Sequence, residues 1–208
     1  MSSEVLFLDV DTQHDFMDAD GKLPVPGAKS IVPNLRKLTT FAVERGVPIL
    51  ATADAHPPGD PEFAQFGEHC VPGTRGQSRI RATSPAARQT AAPDRLAEQV
   101  AGLASGCIAQ LIIEKQALDV FTVPMTDQAL AALRPARVYV YGVATEYCVR
   151  AEVLGLRQRG YDVTVVTDAL GAVRQEDGEK ALAEMRAAGA SMADTQTVLR
   201  TLAAETED

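Results

Sequence analysis

The sequence predicts an α/β protein: a three-layer α/β/α sandwich around a mainly parallel, Rossmann-like sheet, in one domain spanning residues 1–208. Two observations predict it. Short apolar runs rich in Val, Ile and Leu recur along the chain, and stretches with apolar residues at helical spacing alternate with them. Polar residues able to do chemistry stand directly after several of these runs, where a parallel strand ends and open α/β sheets bind ligands. At 208 residues the chain is long enough to bury a sizeable core.

Val5 to Val10 reads as the first buried strand, running into Asp11, Gln13, His14, Asp15 and Phe16. Asp11 follows the strand directly, so its carboxylate is poorly solvated and suits a functional role; the competing reading is that Asp11 and Asp15 cap turns. Residues 17–27 are a Gly- and Pro-bearing loop. Ile31, Leu35, Leu38 and Ala42 then keep helical spacing to about Arg45, and Gly46 closes the helix. Val47 to Ala53 is a second strand, and the strand–helix–strand order implies a parallel pair with a right-handed crossover.

Asp54 and His56 leave that strand, His69 follows thirteen residues later, and Glu62 lies between. His56 and His69 are two of only three histidines. Carboxylate and imidazole ligands suit zinc, iron or manganese, although any surface pair can look the same. Cys70 reads as packing. Residues 77–109 give little pattern beyond a helix around Asp94 to Leu103. Gln110 to Glu114 is a third strand ending at Lys115, followed by a loop with Phe121 and a short helix capped by Thr126 and running to about Leu133.

Arg137 to Tyr141 is the fourth strand, broken by Gly142. Thr145 is expected to cap a helix carried by Val149, Val153 and Leu156 and ended by Gly160. Cys148 then falls in the first turn, where free N–H groups and the helix dipole favour a thiolate and can hold an oxyanion. The bland alternative is a small buried apolar side chain. Asp162 to Thr167 is a fifth strand ended by Asp168, read as a structural carboxylate. A helix from about Asp177 to Ala188, an edge strand at Ser191 to Asp194, a last helix from Thr195 to Ala204 and a frayed acidic tail complete the chain.

The net charge of −8 argues against nucleic acid or an anionic membrane as partner. No apolar run approaches membrane length, and no export signal is evident. Three cysteines do not make a disulfide framework, which points to a reducing cytoplasm.

Taken together, Asp11-x-Gln13-x-Asp15-Phe16, Asp54-x-His56, His69-Cys70-Val71-x-Gly73-Thr74, Lys115 and Gly142-Val143-Ala144-Thr145-Glu146-Tyr147-Cys148-Val149 resemble the isochorismatase-like cysteine hydrolases, and within them the nicotinamidases. The resemblance spans nearly the whole chain and is weakest between Arg75 and Gln110. It implies a catalytic triad of Asp11, Lys115 and Cys148. It implies an oxyanion hole from the N–H groups of Ala144 and Cys148, with a cis peptide between Val143 and Ala144. It implies a divalent metal, zinc first and iron or manganese next, on Asp54, His56 and His69, with Glu62 as the variable fourth ligand. Phe16 and Phe66 match positions that sandwich a ring substrate, and Phe121 and Val143 are expected beside them. The implied partners are a small-molecule amide and further copies of the same chain. Three departures bear on the substrate: His14 stands where Asn is common, Phe66 where Trp is frequent, and the loop after Lys115 offers Phe121 in place of tyrosines. A sister amidase acting on a small ureido or aliphatic amide, and a non-catalytic binding module, are the competing readings.

Overall fold

A computed structural model describes residues 4–205; the last three residues of the acidic tail lie outside them. The elements run β1 (Val5–Val10), α1 (His14–Met17), α2 (Ala28–Arg45), β2 (Ile49–Asp54), α3 (Phe63–Phe66), β3 (Arg88–Thr90), α4 (Leu96–Ala104), β4 (Gln110–Lys115), α5 (Pro124–Leu133), β5 (Arg137–Val143), α6 (Arg150–Gln158), β6 (Asp162–Gly171), α7 (Gln175–Ala187), β7 (Ser191–Ala193) and α8 (Thr195–Glu205). The seven strands form one sheet in the order β3-β4-β2-β1-β5-β6-β7, and every strand pairing is parallel.

Strand alternation divides the core in two. Leu6, Leu8 and Val10 of β1 point into a cluster shared with α4, α5, α6 and α7. Phe7 points to the opposite face, into a cluster with Ile31, Leu35, Leu38 and Ala42 of α2 and Val198 and Leu202 of α8. The sheet is therefore covered on both faces, as parallel sheets are, and the three-layer architecture expected from the sequence is the one found. Helix α2 stops where the sequence places its end, at Gly46 with φ of 67° and its N–H bonded to Ala42 O. No helix among the described residues is long and apolar enough to cross a membrane.

Five expectations change, among them the Thr126 cap: α5 begins at Pro124, and the Thr126 hydroxyl inside it donates to Val120 O. The stretch 77–109 contains an edge strand, β3, whose Arg-Gln-Thr sequence has no apolar member to reveal it. Strand β5 does not break at Gly142 but continues through it to Val143. A Cβ at Gly142 would stand 2.1 Å from Val10 O, so the glycine lets β1 and β5 approach at the end of the sheet that bears the polar residues. Strand β6 runs past Asp168 to Gly171, with a register irregularity opposite β5. Asp168 does serve as a structural carboxylate, accepting from the Thr195 N–H, the Thr195 hydroxyl and Asn34 Nδ2. Finally, Thr145 is no N-cap. Its hydroxyl donates to Gly171 O, and the turn it opens is a π-helical one.

Candidate active site

Four adjacent strands, β4, β2, β1 and β5, end along one edge of the sheet and bring Lys115, Asp54, Asp11 and Cys148 together. Asp54 and Lys115 are register partners on β2 and β4. Asp11 lies one residue past β1 with φ of 48°, an uncommon setting for a residue other than glycine. All four are buried: Asp11 and Lys115 have no exposed surface, Asp54 has 3% and Cys148 has 4%.

Lys115 Nζ lies 2.8 Å from Asp11 Oδ2 and 3.5 Å from Cys148 Sγ, and it also contacts Asp54 Oδ1. The Thr52 hydroxyl donates to Asp11 Oδ1 at 2.7 Å. Burial disfavours the Lys115 ammonium, but Asp11, Asp54 and Cys148 together outweigh it and hold its pKa well above the usual lysine value. Burial also sets the direction for Asp11, which is raised despite the pull of Lys115. For Asp54, burial is outweighed by Lys115 and by the His56 and His69 imidazoles beside it, and its carboxyl falls below the usual range.

The π turn, Thr145–Val149, presents the cysteine. Val149 N–H reaches back five residues to Ala144 O at 3.2 Å, and Tyr147 leaves helical geometry at φ −113°, ψ −105°. The peptide between Val143 and Ala144 is cis. Cys148 does not take the depressed pKa expected of a first helical turn. Burial pushes the thiol well up, Lys115 offsets only part of that, and the carboxylates of Asp11 and Asp54 add to it. The thiol is the resting form.

Beside this group, ligand atoms of Asp54, His56 and His69 all lie within 4.8 Å of one another. The Nε2 atoms of His56 and His69 stand 3.6 and 3.8 Å from Asp54 Oδ2. Each ring is fixed through its other nitrogen: His56 Nδ1 bonds Asp60 Oδ2 and His69 Nδ1 bonds Gly67 O. His56 Nε2 is buried without a hydrogen-bond partner, which suits a nitrogen kept for a metal. Glu62 reaches 3.9 Å from His56 Nε2 but lies outside the three-residue cluster.

A cavity of about 90 Å³ opens over the floor formed by Asp11, Asp54, His69 and Cys148. That is several times the roughly 10–15 Å³ one water occupies, so the site takes a small molecule. Its walls are Phe16, Leu23, Val25, Phe66, Val143, Ala144, Tyr147 and Val173. Phe66 meets Tyr147 edge-on at 5.8 Å. Phe16, Phe66 and Val143 thus line the cavity. Phe121 does not: its ring packs against Gly155 of α6 beneath the Arg159 guanidinium, 3.6 Å away, and lines no part of the cavity. The short helical turn Val120–Thr122, in which the Asp119 carboxylate accepts the Phe121 N–H, sets the residue in that position.

Several contributors escape sequence reasoning. Gln13 clamps the Asp54 backbone, accepting its N–H at 2.7 Å and donating to its carbonyl at 2.8 Å. Asp15 accepts the Cys70 N–H at 2.7 Å and so fixes the loop bearing His69. Of the wall residues given no expected role, Leu23, Val25, Tyr147 and Val173, only Tyr147 adjoins a residue that has one, Cys148.

Comparison with known proteins adds four findings. An isochorismatase domain model matches residues 5–197. The nicotinamidase of Escherichia coli K12 is 32% identical over 206 residues, covering 88% of this chain and 91% of its own length. A protein of Arabidopsis thaliana named a probable inactive nicotinamidase is 26% identical over 168 residues, 80% of each chain. Among solved structures, the zinc complex of Pyrococcus horikoshii pyrazinamidase superposes with a TM-score of 0.74 at 31% identity, over 92% of this chain and 99% of its own.

Proposed function

Because this chain belongs to the isochorismatase family, we propose that it is a cysteine-dependent amidohydrolase, and within that class a nicotinamidase releasing nicotinate and ammonia from nicotinamide. The observation that carries the reading is the convergence of Asp11, Lys115 and Cys148 beneath a small, apolar-walled cavity. Among the described residues no arginine or lysine lines that cavity, and Lys115 below it is already engaged by two carboxylates. A substrate bearing its own carboxylate would find no side-chain cation in those walls, which favours a neutral aromatic amide over a dicarboxylic one.

Cys148 Sγ attacks the carboxamide carbon as its proton passes to Asp11, so the buried thiol ionises only in the act of attack. Lys115 stabilises both the Asp11 carboxylate and the emerging sulfur anion. The N–H groups of Ala144 and Cys148 serve as oxyanion donors; losing one such donor typically lowers the rate about a hundred- to a thousandfold. Asp11 gives the proton to departing ammonia, leaving a thioester, and then deprotonates the water that releases the acid. Asp54, His56 and His69 would hold the divalent ion, with Glu62 in reach of a fourth position. Bound there, the ion supplies a Lewis acid for a ring nitrogen of the substrate. A homo-oligomer, a cytoplasmic setting and a place in pyridine nucleotide salvage belong to the same reading.

The test is ammonia release from nicotinamide, pyrazinamide and small aliphatic amides by wild type and C148A. Nicotinamide is the best substrate, C148A is inactive, and elemental analysis finds the same metal content in both. Residual turnover by C148A overturns the nucleophile, and an aliphatic optimum overturns the substrate.

A further inference from the structure

The side chains around the cavity over Cys148 are buried or half-buried, with one exception. Three large apolar side chains are exposed among the described residues, Val43, Leu118 and Val173, and of these only Val173 lines the cavity. A wall residue 38% open to solvent stands where the cavity meets water, so Val173 forms part of its rim.

Val173 belongs to a three-residue connection, residues 172–174, between β6 and α7. Both ends of it are held by the turn that carries Cys148. The Thr145 hydroxyl donates to Gly171 O at 3.0 Å, and the Arg174 N–H donates to Glu146 Oε1 at 2.8 Å. The second bond is the one hydrogen bond that the Glu146 side chain makes among the described residues; its Oε2 is buried without a partner. Glycines pack the connection closely on two sides. A Cβ at Gly171 would stand 3.0 Å from Val143 and 3.3 Å from Val25, two other walls of the cavity. A Cβ at Gly178 of α7 would stand 2.7 Å from the Ala172 Cβ. A connection so short and so packed cannot swing aside, so the length of the side chain at 173 sets the width of the mouth. Because Thr145 and Glu146 share a turn with Cys148, that width is fixed relative to the sulfur.

We propose that Val173 is a specificity-determining residue that limits what the substrate ring carries on its side away from the sulfur, and that Glu146 is the positioning residue that holds Val173 at the rim. The inference rests on the amidase reading and narrows it to amides whose ring is bare where it faces the mouth. With the carboxamide carbon over Cys148 on the floor, the far edge of the ring is turned to the rim. A methyl group there meets the Val173 isopropyl group.

The measurement is a ratio: kcat/KM for nicotinamide bearing a methyl group at the 5-position, adjacent to neither the amide-bearing carbon nor the ring nitrogen, over kcat/KM for nicotinamide itself. A loss common to both amides, such as a disturbed nucleophile turn, cancels in it. V173A raises the ratio about tenfold or more, the scale on which an apolar pocket reads one carbon. V173F lowers it. E146A deletes the acceptor of the Arg174 N–H and raises the ratio about threefold or more, the scale of one hydrogen bond. E146Q keeps a side-chain carbonyl in that place and returns the wild-type ratio. A wild-type ratio in V173A overturns the rim role; a wild-type ratio in E146A, or an E146Q as relaxed as E146A, overturns the part given to Glu146. A second probe reads the rim without amide turnover: alkylation of Cys148 by iodoacetanilide relative to iodoacetamide, followed by peptide mass spectrometry with the exposed Cys107 as reference. V173A raises this ratio at Cys148 and leaves it unchanged at Cys107. A wild-type protein that releases ammonia from no amide, while V173A shows this shift, overturns the substrate reading and supports the rim. An unchanged alkylation ratio in V173A overturns the rim even where nicotinamide is turned over.

Discussion

Lys115 has no exposed surface and faces two carboxylates and a thiol. Replacing it by methionine leaves Asp11 and Asp54 crowded together without their cation. Removing one partner of a buried pair typically costs about 3–5 kcal/mol, so K115M melts well below wild type in a thermal scan. Its turnover falls at least about a hundredfold, in the range expected for an interaction that serves proton transfer. The Asp11 carboxyl sets a second expectation. Burial raises it above its ordinary value, and an acid so raised keeps its proton to higher pH. The basic form that accepts the thiol proton is therefore lost earlier as pH falls. The acidic limb of a kcat/KM profile should lie above the usual carboxylate range; a limb at or below it contradicts Asp11 as the base. At this scale the sequence was legible where a residue's chemistry is announced by its place after a strand, as for Asp11, Lys115 and Cys148. It was silent where the role depends on contacts distant in sequence. Gln13 matters because Asp54 comes to it across 41 positions.

Among the elements, those with clean apolar periodicity were readable: β1, α2 and β4 follow their expected bounds to within a few residues. Strand β3 was not, because three polar edge residues carry no pattern and exist as a strand only by pairing with β4. The π turn was not readable either. A threonine after an apolar run signals a cap, yet here the backbone bond reaches back five residues and the threonine side chain bonds elsewhere. Gly142 suggested a strand end and instead marks a close approach of two strands. Alanine at that position would put a methyl carbon on Val10 O and hold φ at 124°, where side chains are strained. G142A is expected to lose about 1–3 kcal/mol of stability. Its activity should fall by more than about tenfold, since β1 leads into Asp11 and β5 into the turn of Cys148, and small misplacements are costly to rate. Calorimetry and ammonia release on the same preparation check both halves; a fully active G142A would show that the approach is not required.

For the whole molecule, an all-parallel sheet covered on both faces gives a rigid platform whose ligand-binding edge was foreseeable from strand–helix alternation alone. What alternation could not supply was the strand order, which decides which strand ends become neighbours. The metal reading is tested at this scale too. An ion that binds only the folded chain stabilises it by about 4 kcal/mol at a thousandfold excess over its dissociation constant. Chelation should therefore lower Tm, and zinc should restore it; in D54N the response to zinc should vanish. A Tm indifferent to chelator and zinc would remove the metal from Asp54, His56 and His69.

The order of the strands also bears on how the molecule comes into being. Strand β1, the earliest described strand to be made, ends up sandwiched between β2 and β5, while the cysteine lies in the turn that follows β5. A growing polypeptide therefore carries its acid long before it carries its sulfur, and the two meet only where β5, through Gly142, pairs with β1. The pairing of β1 with β5 is thus what unites the acid with the sulfur, from stretches of chain far apart in sequence.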